Sequence, residues 1–254
     1  MMSLTSGNGR PSVPEVVIEA AQRPVRQKRR PAARQFWDST IGKKIVMAVT
    51  GAALLGFVFA HMVGNLKTFF GAGDLNAYAH WLRTIGEPVL HYEWFLWIMR
   101  AGLIVAVVLH ITATVQLVRR DHRARPVRYA HRRPVRATFA VHTMRWGGAT
   151  LAVFIVWHIL DLTVGQVNPD FVAGDPYHNL VADFQVWWVN VIYLVALAML
   201  GLHINHGIAS AARTLGVTSA RRERALKVFG SAMAIITTAG FAVVPIAVMT
   251  GLVH

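Results

Sequence analysis

Five histidines set deep within long apolar stretches are the residues of this sequence whose type and spacing could do chemistry: His61, His110, His158, His203 and His206. An imidazole offers a lone pair to a metal and titrates near neutral pH. Inside an apolar segment it therefore ligates, relays protons or hydrogen-bonds a neighbour. Cysteine is absent, which excludes disulfides, a cysteine nucleophile and any iron–sulfur cluster held by this chain alone. There is no dinucleotide fingerprint and no phosphate-binding glycine loop, so the chain is not expected to bind flavin covalently or to oxidise an organic substrate unaided.

The elements that carry these histidines are membrane spans. Of 254 residues, 54% are hydrophobic and only 15% charged, too few polar groups to cover a soluble core. Five stretches, approximately 45–66, 94–118, 140–164, 185–212 and 226–252, reach the roughly 20 residues needed to cross a bilayer. The first begins too late and runs too long for a cleaved signal peptide. Gly51, Gly56, Gly102 and Pro245 fall inside the spans, where membrane helices tolerate them. The expected fold is an all-α bundle of five transmembrane helices over residues 35–254. Residues 1–34, rich in Arg and Pro, are expected to form a largely disordered basic arm.

The net charge of +14 belongs to topology rather than to nucleic acid, which is not an expected partner. Nine basic residues precede the first span (Arg10, Arg23, Arg26, Lys28, Arg29, Arg30, Arg34, Lys43 and Lys44). Eight more, from Arg119 to Arg136, follow the second, and five, from Arg213 to Lys227, follow the fourth. The loop after span one has only Lys67 and Arg83, and residues 165–184 have neither Lys nor Arg. By the positive-inside rule the N-terminus is cytoplasmic and the C-terminus outside, with Trp94, Trp97, Trp187 and Trp188 as outer interfacial anchors. Such basic segments also attract anionic lipid and could dock a soluble partner. The expected location is a bacterial plasma membrane, crossed several times.

Helical rise then sorts the histidines by depth. At about 1.5 Å per residue, His61 lies roughly 24 Å and His158 roughly 27 Å from the inner ends of their spans. His110 and His203, on inward-running spans, lie deep toward the cytoplasm by the same counting. Two pairs result, His61/His158 outer and His110/His203 inner. Facing imidazoles are what a six-coordinate b haem takes as axial ligands, with its macrocycle between the helices. Small residues near the ligands (Gly64, Ala106, Ala113, Gly207) are expected to let the rings approach the backbone. Matched depths would also suit a proton relay.

The order of motifs resembles a known family. "STIGKKIVMAVTG" leading into span one, "HMVGNL" at its end, "NAYAHWLR" after it, His110 late in span two, "WHILDLTVG" in span three and "LHINHGIASAARTLG" closing span four look like the one-chain, five-helix cytochrome b anchor of succinate dehydrogenase and fumarate reductase, respiratory complex II. The resemblance covers about residues 36–250. It implies two b haems, the inner on His110 and His203 (or His206, which the "LHINHG" run also offers) and the outer on His61 and His158. It further implies a flavoprotein and an iron–sulfur subunit docked on the cytoplasmic face, and electron exchange with a quinone, menaquinone being expected. A Rieske-type [2Fe–2S] cluster is the alternative, one histidine pair being completed by two cysteines of the partner. A haem-free anchor and a proton-coupled transporter are the others, the latter without the inverted repeats usual in transporters. Physiological direction and any higher oligomer stay open.

Around these centres, Arg100, Arg145 and Arg213 are candidates to neutralise haem propionates; snorkelling to the headgroups is the alternative reading. A quinone site needs a donor at each carbonyl beside an apolar slot. Asn76, Tyr78, His80, Trp81, Glu87 and His91, expected in a loop, are outer candidates, and Trp37, Ser39, Lys43 and Arg213 inner ones. The inner site is expected for a succinate-oxidising enzyme.

Overall fold

A computed structural model describes residues 31–124, 136–214, 216 and 219–254, with side chains of the second stretch from residue 143 onward. The expectations for the arm, over residues 1–30, and for the arginine-rich loop, over 125–135, lie outside the described residues. Residues 1–35 and 36–254 form separate units, and the second carries the fold.

Every described element is helical: α1 (Ala32–Asp38), α2 (Thr40–Asn65), α3 (Ala72–Thr84), α4 (Trp94–Arg123), α5 (Arg136–Leu162), α6 (Pro176–Phe184), α7 (Trp187–Thr214) and α8 (Ala220–Met249). A 3₁₀ turn over Leu66–Phe70 closes α2. Helices α2, α4, α5, α7 and α8 are long and apolar enough to cross a membrane, so the chain is an all-α, multi-pass membrane protein. Their caps are ordinary physics. Ser39 accepts the Gly42 N–H at 2.8 Å to start α2, and Asp175 accepts the His178 N–H at 3.0 Å to start α6, with Pro176 following it.

Side-chain contacts set the directions. Thr114 bonds Met47 and Gly51 lies against His110, so α2 and α4 are antiparallel. Gly148 lies against His203 and His158 meets Tyr193, which makes α5 and α7 antiparallel too. The α7–α8 hairpin is held by Ser231 on Asn205 and by Gly201 against Thr238. Met62 touches Gly240 and His61 faces Phe241, so α2 and α8 meet near the His61 end of α2. One end of the bundle therefore carries the start of α2 and the end of α4, rich in Lys and Arg. The other carries α3, α6 and the apolar cluster of Leu180, Val181, Phe184, Val189, Tyr193, Val244, Ala247, Val248 and Val253.

Packing is uneven, and the unevenness matters. Close helix pairs are α7 with α8, α2 with α4, α5 with α7, and α2 with both α7 and α8. Neither α2 with α5 nor α4 with α7 packs closely among the described residues. Those are the two diagonals that carry the facing histidines.

Two segments expected to be loops are not. Residues 72–84 fold as α3, so Asn76, Tyr78, His80 and Trp81 sit on a helix. Residues 176–184 fold as α6, which buries Leu180, Val181 and Phe184. Both are short and half polar, and membrane-length periodicity does not reveal them. Asn76 ties them together, its amide donating to Asp175 at 2.9 Å and its carbonyl accepting the Tyr177 N–H at 3.1 Å. With the His178 N–H and then the Asn76 amide both bonded to it, the Asp175 carboxyl is held below the usual carboxylate range.

Candidate functional site: two facing histidine pairs

The structure brings His61 on α2 and His158 on α5 together, with ring centroids 5.9 Å apart. At the other level His110 on α4 faces His203 on α7 at 6.2 Å. His203, not His206, is thus the ring opposite His110. An iron between two imidazoles stands about 2 Å from each ligating nitrogen, which separates the ring centroids by roughly 6 Å. Both spacings fit. Gly51, against the His110 ring, and His61 are ten positions apart on α2, so the two levels are roughly 15 Å apart along the bundle.

At each level one imidazole has its tautomer set by the protein. His110 Nδ1 lies 3.1 Å from the Met47 carbonyl, which can only accept, so Nδ1 carries the proton and Nε2 is left with its lone pair. Thr50 Oγ1, whose own hydroxyl donates to Val46 O at 2.7 Å, stands 3.2 Å from the same nitrogen. At the other level Tyr193 donates to Asp161 Oδ2 at 2.9 Å, so its oxygen accepts from His158 Nδ1 at 3.1 Å. Nε2 is again free. This is how a ligating histidine is oriented by its second nitrogen.

Aromatic rings line the His61/His158 level, and glycines approach the rings of the His110/His203 one. Phe57 stacks on His61 at 5.5 Å, Phe241 lies 5.7 Å from it, and Phe154 stacks on His158 at 5.7 Å. At the other level Gly51 approaches His110 so closely that an added Cβ would stand 3.2 Å from Cε1. Gly148 approaches His203 similarly, at 3.7 Å. These two glycines, one on α2 and one on α5, each lie ten positions before the histidine of the same helix. They are the small residues that matter, and spacing to the opposite level was the signal that could have found them. Of the expected glycines, Gly64 lies against Tyr78 and Gly207 has open space beside it.

Among the described residues no group of three or more His, Cys, Asp or Glu comes together. The two imidazoles of either pair would together hold a haem iron, which supplies one-electron chemistry when bound. The buried His203 Nδ1, which has no hydrogen-bond partner, and the apolar aromatic walls fit such a group.

The other expected residues fall elsewhere. Arg100 lies over the Trp97 ring at 4.8 Å, Arg145 Nη1 is 3.3 Å from His122 Nε2, and Arg213 Nη1 is 3.7 Å from Glu223. Ser39 is a helix cap. Lys43, only 1% exposed, donates to the Trp37 carbonyl and sits over its ring. Tyr78 packs on Gly64, one turn beyond His61, with Trp81 beside it and Lys67 over its ring. His80 meets Tyr92, His91 meets Trp94, and Glu87 lies exposed in the α3–α4 turn. No protein-family model, no curated protein and no solved structure matches the chain.

Proposed function

We propose that this chain is the cytochrome b membrane anchor of a succinate:quinone oxidoreductase, carrying electrons between a docked iron–sulfur subunit and membrane quinone, with menaquinone as the expected species. The observation that carries the redox reading is the pair of facing imidazoles at each of two levels, about 6 Å apart on diagonal helices that do not pack closely. The assignment to complex II is carried by the order of the motifs along the sequence.

Bound at each level, a b haem supplies a one-electron carrier. The protein does the rest. His110 and His203 hold the centre nearer the basic end, and His61 with His158 the farther one. Met47 O and Tyr193 Oη fix the presented nitrogens, and Phe57, Phe154 and Phe241 keep the farther level dry. The basic end, with Arg119, Arg120 and Arg123 closing α4, offers charge to an acidic soluble partner on what the positive-inside rule makes the cytoplasmic face.

The test is isolation of the tagged chain from its native membrane. A flavoprotein and an iron–sulfur subunit should accompany it in equal amounts, and the preparation should reduce a menaquinone analogue with succinate. A chain that isolates alone, in membranes whose succinate oxidation resides elsewhere, contradicts the assignment.

A further inference from the structure

The end of the bundle that carries α6 buries two acids with no cation paired to either among the described residues. Asp161, near the end of α5, and Asp183, in α6, are 1% and 4% exposed. Neither forms an ion pair among the described residues, and residues 165–184 contain no Lys or Arg. Asp161 Oδ2 accepts the Tyr193 hydroxyl. Asp161 Oδ1, Asp183 Oδ2 and the Trp157 indole nitrogen are buried without a well-directed partner.

Two adjacent carboxyls in an apolar surround cannot both ionise, so such a pair retains a proton. Burial first, then the neighbouring Asp161 carboxylate, push Asp183 up to about 8. The titratable groups facing the pair are few. Tyr193 comes from α7, and His158 lies beyond it with Tyr193 between. In the same apolar cluster α8 supplies Val244, Ala247 and Val248, and His61 of α2 is on the far side of His158.

We propose that Asp161 and Asp183 form a shared-proton site, which takes one proton from water when an electron reaches the His61/His158 level and returns it when the electron leaves. The inference rests on the redox reading above. The electron comes from the docked iron–sulfur donor and departs to quinone, one negative charge added and one proton bound at each step, so charge balances. The Tyr193 hydroxyl, bonded to both His158 and Asp161, is the contact through which each site senses the other's charge.

The experiment is infrared difference spectroscopy on the purified full complex, in H₂O and D₂O, under stepwise electrochemical reduction. The expected result is a protonated-carboxyl C=O band that grows on reduction, shifts in D₂O and is lost in Asp183→Asn and in Asp161→Asn. Asp170→Asn, an exposed acid of the same segment, should retain it. A static pH titration of the oxidised wild type should show a carboxyl band fading near pH 8, a reading that needs no variant to fold. A band indifferent to reduction overturns the coupling, and no band at any pH overturns the shared proton. A visible spectrum without haem overturns the redox reading and the coupling together, while the static titration still decides whether the pair holds a proton.

Discussion

The Nδ1 atoms of His110 and His158 are committed to Met47 O and Tyr193 Oη, so the protein itself sets the orientation of both imidazoles, as the proposed haem ligation requires. Tyr193→Phe removes the acceptor from His158 and the donor from Asp161, and should lower retention of the farther haem by about 10–100-fold. Haem content after dialysis against apomyoglobin measures this, and full retention would mean the hydroxyl orients nothing. Asp183 gives a second prediction. Its folded pKa of about 8 lies above the ordinary value of 3.8, so the folded protein holds a proton that the unfolded one has lost. That contribution is full below pH 4 and disappears as pH rises toward 8. Thermal stability in detergent should fall between pH 5 and 8, and Asp183→Asn should flatten that slope. At this scale the sequence was informative about the histidines, because an ionisable group in an apolar run stands out. It was silent on Asp161–Asp183, since their meeting depends on how α6 folds back onto α5.

Spans are the elements whose sequence signal is strongest, and all five expected stretches are helices with ends no more than six residues from those read from hydropathy. Helices α3 and α6 escaped because they are short and amphipathic. Their burial comes from one another and from the span ends, through contacts such as Asn76 with Asp175. The glycines show what a span must contribute besides length. Gly51 and Gly148 each bring a backbone against a ring of the level near the basic end, and their room is unequal. Gly148→Ala, with its Cβ in ordinary contact, should be tolerated, whereas Gly51→Ala crowds His110. Gly51→Val forces the ring aside at a cost of about 1–3 kcal/mol. Reduced-minus-oxidised spectra should therefore lose the His110/His203 component in Gly51→Val and keep the His61/His158 one. Equal loss of both would mean that the two levels are not independent.

Among the described residues of 36–254, α7 and α8 form a tightly packed hairpin, with α2, α4 and α5 arranged so that neither α2 with α5 nor α4 with α7 packs closely. Sequence gave the pairing of depths but not the diagonals, because which helices pack is decided by contacts such as Gly201 on Thr238 rather than by hydropathy. The proposed orientation rests on charge, and the absence of cysteine from the sequence makes it simple to check. A single cysteine at exposed Ala173 should react with an impermeant maleimide on intact cells, and one at exposed Ser219 only after permeabilisation. The reverse pattern would place the basic end outside and move any soluble partner with it.

The central claim is that each facing pair holds one b haem. Its most direct test is a dithionite-reduced minus air-oxidised spectrum of the purified complex, with pyridine haemochromogen and iron quantified per chain. The account predicts two b haems per chain, one lost in His110→Ala and the other in His61→Ala. Iron without haem and a Rieske-type EPR signal would place a cluster at one pair instead, and a colourless protein without excess iron would contradict the account outright.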